Sequence, residues 1–396
     1  MALWWLLIAT PGHALPPLQL FIDLTPAGGT LNLPAGVYGG PAVIRKPLTI
    51  DGDGQVTVDG EGSGTVLSVL ADGVVVRGLR LIRSGDSHDQ VDAAILVSAD
   101  NVRIEENTIA DTLFGIHLRQ ANHTVIRGNR ISSKKVSKSL RGEGIRLWYS
   151  THNRIENNAI SGVRDLVFSN SANNRVIGNT IRDSRIAMEF VFSPDNLVSE
   201  NLIDNTTNGI VILYSHRMKV QKNRLQHLRE LTGSALTVKG SSRAVMIDNE
   251  IVHCAVGLIA NAPIHPEHVF QLRRNRFVYN DVALYFYGEK GGHLIHDNLF
   301  ENNLTDVLVS ASSSALDNQW RSNYWDRYRG FDRNNDGFGD TEYANYLYSD
   351  RLWMDRPATR FFRGSPSIEM VDFVERLAPF SPPYLVLTDP KPRIRR

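Results

Sequence analysis

Three sets of side chains in this chain have the types and spacing to do chemistry. In "FDRNNDGFGDTEY" (331–343), Asp332, Asn334 and Asp336 alternate, Gly337 gives the turn and Asp340 follows. Oxygen donors in that order are those of a calcium loop. Tyr343 stands where a bidentate Glu would close it, so a polar turn that binds nothing accounts for the same residues. Met188, His216 and Met218 form the second set, since thioethers beside an imidazole suit Cu(I). Only six methionines occur in the chain, a sparse supply for a soft-metal path. The third set is acidic. Asp165 and Glu189, with Glu143 near Arg141 and Arg146, lie about one structural repeat apart. Polysaccharide hydrolysis needs two carboxylates facing one groove. These carboxylates lack a dense Asp-Asp constellation and read as a solvated face, so no catalytic residue is assigned. The pairs His265/His268 and His293/His296 would share a face on a helix, but on a strand they point apart. Both read as surface or loop histidines.

The elements that must position these groups follow from a repeat. The octets "VRIEENTI" (102–109), "TVIRGNRI" (124–131), "NRIENNAI" (153–160), "NRVIGNTI" (174–181) and "NLVSENLI" (196–203) share an Asn in sixth place. Further copies give Asn223, Asn249, Asn275, Asn298 and Asn323, and the ten asparagines recur 21 to 29 residues apart. A period near 22 with insertions marks a solenoid. An apolar residue precedes each Asn by three and another follows by two, as in Ile155 and Ile160. Between octets lies a third apolar stretch, such as "GIHL" (115–118), "GIRL" (144–147) and "GIVIL" (209–213). Three short strands per turn without helical periodicity predict an all-β fold, a right-handed parallel β-helix of about eleven or twelve coils. Coils stack about 4.8 Å apart. Equivalent asparagines therefore form a column in which each amide bonds its neighbour and the bend backbone. Asn153, Asn174 and Asn196 form a shorter column, whose slot Met218 and His293 occupy in later coils.

Composition narrows the rest. Lys plus Arg number 43 against 42 Asp plus Glu, so the global basic field that attracts nucleic acid is absent; only the terminal "KPRIRR" is locally basic. The single cysteine, Cys254, excludes an intrachain disulfide and a CxxC zinc site, and its apolar surroundings suit a small buried hydrophobe. Residues 1–14 read as a cleaved export signal: the apolar run Ala2–Ala9 leads to Gly12-His13-Ala14, a small-x-small pattern. The run is far shorter than the roughly 20 residues of a spanning helix. The β-helix is assigned to 15–330, with coils from about residue 24, the Asp/Asn-Gly loop region to 331–350, and a C-terminal helix with an extended tail to 351–396. Ser365-Pro366 is a helix start, after which Met370, Phe373, Val374 and Leu377 fall on one stripe. That stripe would cap the last coil edge or dock a partner. The Pro-rich tail after it reads as an extended arm toward a membrane partner.

The C-terminal order is the most specific signal. "NYWDRYRGFDRNNDGFGDTEY" is followed by "YLYSDRLWMDRPATRFFRGSPSIEMVDFVERL". This arrangement resembles the NosD family, periplasmic maturation proteins of nitrous-oxide reductase, and "GIRLWYS" (144–150) is similar to that family's G-I-H-L-W-N-S segment. Where the family carries Met and His, Arg146 and "MEFVFS" (188–193) stand here. The resemblance spans essentially the whole mature chain. It implies a periplasmic scaffold or handover factor rather than an enzyme, helping to mature the reductase's copper-sulfur centres. Implied partners are an ABC transporter's permease and ATPase, a copper chaperone and the reductase, with membrane contact only through the partner. Cu(I) would be held transiently and Ca²⁺ structurally. A second reading, from fold analogy alone, is a polysaccharide-active or carbohydrate-binding β-helix. For that reading Trp148, Tyr149, Phe190, Phe192, Tyr285 and Tyr287 should line a groove bearing carboxylates.

Overall fold

The computed structural model describes residues 15–261, 269–288, 291–310, 313–347, 365–378 and 384–394. The export signal assigned to residues 1–14 and the His265/His268 pair lie outside them.

Each octet makes two short strands with the Asn at the bend between them. Arg154–Glu156 and Ala159–Ser161 are one such pair, and they lie parallel and in register with Arg175–Ile177 and Thr180–Arg182 of the next coil. The octet strands form two columns, joined at the N-terminal end where the long strands Thr49–Asp59 and Val75–Ile82 run through both. The third stretches stack as a separate column of twelve strands, from Ala42–Ile44 to Thr305–Val309. The solenoid therefore has about twelve turns.

Register follows from burial. Ile104, Ile126, Ile155, Val176, Val198 and Val220 lie one above another, fully excluded from water. A one-residue slip would turn every one of them outward. The Asn column closes as the spacing requires. In each step the Asn of one coil donates both its backbone N–H and its Nδ2 to the Oδ1 of the next, from Asn107–Asn129 to Asn298–Asn323, at 2.9–3.0 Å. Each Nδ2 also donates to a carbonyl of the preceding coil, as Asn179 does to Ile155. The residue before each Asn has a left-handed backbone, including Glu106, Glu200 and Lys222 with φ of 57°, 59° and 54°. Such a conformation costs a non-glycine residue of order 1–3 kcal/mol and persists where surrounding bonds over-determine it. The Asn bonds do that here.

The shorter column also forms: Asn153 and Asn174 donate their amides to Asn174 Oδ1 and Asn196 Oδ1. His293 takes the same part, its Nδ1 accepting the Phe270 amide at 3.3 Å while its own N–H donates to Asn318. A further ladder is made of serines. The amides of Ser150, Ser171, Ser193 and Ser215 donate to the hydroxyls of Ser171, Ser193, Ser215 and Ser241.

Both ends differ from the sequence expectation. Residues assigned to the β-helix from position 15 include the helix Leu18–Leu24, which buries Leu18 and Ile22 against the first coil. The Gln19 amide both donates to Val43 O and accepts from Val43 N, so a side chain stands in for a neighbouring strand. At the other end the tail is not an extended arm. Tyr384–Asp389 folds back and pairs antiparallel with Tyr343–Leu347. Asp389, fully buried, becomes the eleventh rung: Oδ2 accepts the Asn323 N–H, the Asn323 Nδ2 and the Trp325 Nε1. The interior stack Phe277, Phe300, Trp325 runs on into Tyr343 of this cap. The last coil edge is thus covered by a strand pair. The helix forms where expected, Pro366–Leu377 with Ser365 at the N-cap, but its stripe is bare: Met370, Phe373 and Leu377 are 68%, 62% and 71% exposed and Val374 38%.

Candidate functional site

Met188 and Met218 belong to the interior core, both wholly buried. His216 sits at a corner, where Nδ1 accepts the Ser242 amide at 3.0 Å and faces its hydroxyl at 2.8 Å. With Nδ1 engaged by Ser242, only Nε2 could take a metal, and then only if the ring proton moved to Nδ1 and displaced the Ser242 amide bond. Copper would have to enter a closed hydrophobic interior to reach the two thioethers, so these three residues do not fit a copper site as they stand. Cys254 is equally inaccessible; burial pushes its thiol up to about 12.

The Asp/Asn turn is closed on itself. The two carboxylate oxygens of Asp332 accept the amides of Asp336 and Gly337, Asn334 Oδ1 accepts the Asp336 amide, and Asp340 Oδ2 accepts the Arg333 amide. Asp336 Oδ1 takes the Phe338 amide, which holds its carboxyl below the usual range, and Oδ2 faces Lys391 at 3.5 Å. Among the described residues no group of three or more His, Cys, Asp or Glu is gathered as around a metal ion. The donors face their own backbone and the cap instead of converging on a cation.

The acidic residues are brought together, with arginines interleaved. Glu143 and Arg164 are 21 residues apart, Arg164 and Arg185 likewise, and Asp165 and Glu189 are 24 apart: each step is one coil. On the outer face of the third column, His117 pairs laterally with Arg146, Arg146 with Val167 and Val167 with Glu189. Glu143 Oε1 accepts Arg164 Nη2, and its Oε2 is 3.7 Å from Arg146. Asp165 accepts Arg185 Nε at 3.0 Å, bonds Arg185 Nη2 through its other oxygen, and faces Arg164 Nε at 3.3 Å. The carboxylates of Glu143 and Asp165 are only 5% and 1% exposed. Burial, and then the negative charge of Asp165, raise the Glu189 carboxyl above its ordinary value. His117 is held neutral to about 4 by burial and by Arg146. Among the described residues three buried atoms of this cluster find no hydrogen-bond partner: His117 Nε2, Glu143 Oε2 and Arg164 Nε, the last in ion-pair contact with Asp165. The coil spacing of Glu143, Asp165 and Glu189 was legible in the sequence; what it did not show is that Arg164 and Arg185 interleave them.

The six aromatics divide. Phe190 is interior, stacked on Phe168, while Tyr285 packs on the outer patch of Val256, Val282 and Leu308 further along, with the exposed Tyr287 tilted beside it at 6.2 Å. Trp148 and Tyr149 pack edge to face at the end of the Arg146 strand, and Phe192 stacks on Tyr214 at 5.3 Å beyond the Glu189 strand. Trp148, Tyr149 and Phe192, with Tyr214 added by the fold, are 37–55% exposed. No helix among the described residues is long and apolar enough to cross a membrane.

Comparison with known proteins bears on all of this. Residues 129–330 match the family described as periplasmic copper-binding protein (NosD), and residues 63–165 match the right-handed β-helix region. A probable ABC transporter binding protein NosD of Pseudomonas aeruginosa is 28% identical over 383 residues, 89% of this chain and 85% of that protein. Its namesake in Stutzerimonas stutzeri is 27% identical over 408 residues, 94% and 89% of the two chains. Among solved structures, the catalytic domain of a GH87 α-1,3-glucanase in complex with nigerose superposes with a TM-score of 0.55 at 13% identity. That overlap covers 74% of this chain and 64% of the other, and at such identity it shows the β-helix fold alone.

Proposed function

The chain belongs to the NosD family, and from that premise we propose that it is an exported accessory protein of an ABC transporter. It serves the maturation of the copper-sulfur centres of nitrous-oxide reductase, acting as a scaffold. Copper is then cargo of the assembly, passed between a chaperone, this protein's partners and the reductase. One observation carries the scaffold reading: the apolar stripe of Pro366–Leu377 is exposed, while the capping that was one of its two expected roles is already done by Tyr384–Asp389. Four apolar side chains on one helix face suit a groove in a permease or its partner domain, a helix-in-groove mode of recognition. The closed surroundings of Met188 and Met218 and the engaged Nδ1 of His216 support a scaffold over a direct carrier.

Anaerobic titration of the mature protein with Cu(I) tests this. A scaffold retains no stoichiometric copper after desalting, and Met188→Ala and His216→Ala change nothing. Retention of one equivalent that either variant abolishes would make the protein a carrier. Cleavage of residues 1–14 on export is checked by the N-terminal sequence of the periplasmic form.

A further inference from the structure

We infer that the outer face of the third strand column, from His117 to Tyr214, binds a neutral glycan, independently of the transporter role.

The fold does not require the charges found there. Further along the same outward row stand Val211, Thr237 and Ile259, which show what the sheet accepts at these positions. The carboxylates of the solenoid's other ion pairs range from about a third exposed, in Arg217–Asp195 and Arg274–Asp248, to less than a tenth, in Arg83–Asp59 and Arg127–Glu105. Those of Glu143 and Asp165 are almost fully withdrawn from water. Burying an ion pair costs desolvation comparable to the attraction gained, so stability alone does not account for the cluster.

The unpaired atoms indicate what is missing. Glu143 Oε2 makes no hydrogen bond and has only Arg146 at 3.7 Å, and His117 Nε2 takes either part according to tautomer, while Arg164 Nε already faces Asp165. The Glu189 carboxylate, half-buried, makes no hydrogen bond among the described residues. Within the cluster charge is balanced, with Arg146, Arg164 and Arg185 against Glu143, Asp165 and Glu189, and Arg119 at the Trp148 register adds one exposed cation. A ligand of either net charge therefore gains little. A hydroxyl both donates and accepts, and so can serve every one of these groups without adding charge. Beside them Trp148, Tyr149, Phe192 and Tyr214 offer an exposed apolar rim for the C–H surface of sugar rings. A few convergent polar groups beside aromatic surface is the composition of a small-molecule site. From the His117 strand to the Glu189 strand is three coil steps, about 14 Å, room for two or three linked sugars. A peptide strand is a poorer occupant, because the backbone of these strands is fully used by neighbouring coils and offers no edge to pair with.

The test is calorimetric titration of the full mature protein with neutral hexasaccharides of glucose and of N-acetylglucosamine. A sulfated hexasaccharide and a Lys/Arg-rich peptide serve as comparators. A neutral hexasaccharide should bind with Kd below about 1 mM and perturb Trp148 fluorescence. Trp148→Ala and Glu189→Ala should each weaken it by about tenfold or more, while Tyr285→Ala, on the distant patch, should not. Should either variant misfold, the fluorescence change in the unaltered protein still decides. Binding of neither neutral sugar, tighter binding of a charged comparator, or affinity indifferent to both substitutions overturns the inference.

Discussion

Asp306 should weaken the protein at neutral pH, and replacing it with Asn should strengthen it. The carboxylate is fully buried at the last complete coil. Among the described residues its Oδ1 accepts only Asn303 Nδ2 at 3.2 Å, and its Oδ2 has no hydrogen-bond partner. Arg327, whose charge acts on it, spends Nη2 on the carbonyls of Asn303 and Leu304, while Asp326 adds a like charge. Burial therefore pushes the acid up to about 6 from 3.8. The sign follows from proton binding. Between pH 4 and 6 the unfolded chain has released this proton and the folded one keeps it, so folding loses stability as pH rises through that window. Above pH 6 the loss levels off at about 3 kcal/mol, the free-energy equivalent of the shift at 1.36 kcal/mol per unit. Asp306→Asn removes the titration. It should raise the midpoint of urea unfolding at pH 7.5 by an amount equivalent to as much as about 3 kcal/mol, and leave it nearly unchanged at pH 4. Trp320 and Trp325, buried in the last coil, report the transition by fluorescence. An equal shift at both pH values, or a less stable variant at pH 7.5, would refute the reasoning.

Other outcomes follow from the ladders and the ends. Asp389→Asn places an NH₂ where both carboxylate oxygens accept, on Asn323 and Trp325 at one and on Lys391 N at the other. It should cost about 1–3 kcal/mol and raise hydrogen exchange at Asn323, with Asp389→Leu costing more. Asn201→Leu in mid-ladder leaves the backbone and side-chain N–H groups of Asn179 and the Val176 carbonyl short of partners, so unfolding should shift by a similar or larger amount without loss of β content by circular dichroism. Because its turn amides already hold Asp332 and Asp336, added Ca²⁺ should leave the melting temperature unchanged; a rise that Asp336→Asn abolishes would show a calcium site. Cys254 should react with a thiol reagent only in denaturant, as its burial and raised pKa require.

Much of the fold was legible because a solenoid repeats its reasons. Each coil restates the same Ile-x-x-Asn-x-Ile pattern, so an error in one copy is corrected by nine others, and even His293 could be assigned an architectural slot from position alone. The ends escaped because they occur once. Nothing periodic marks Leu18–Leu24 as a cap or shows that Gln19 will imitate a strand. Asp389 lies 66 residues beyond Asn323, far outside the coil period, so its place as the last rung depends on a chain reversal that local sequence does not encode. The serine ladder has the correct spacing but was hidden by the ordinariness of serine in turns. At the site, the carboxylates alone are too sparse in the sequence to mark a constellation. The interleaved Arg164 and Arg185 carry the constellation, and their one-coil offset was the signal to follow.

Docking through the exposed helix is the claim most directly open to test. Detergent-solubilised ABC transporter from the same cell should be captured by the immobilised mature protein and released when Phe373 and Leu377 are both changed to Ser. These side chains are exposed, so the double variant should keep the wild-type melting temperature. Loss of capture with the fold intact is the predicted result. Capture as strong by the double variant as by the unaltered protein would contradict it, and would place the partner surface elsewhere on the solenoid.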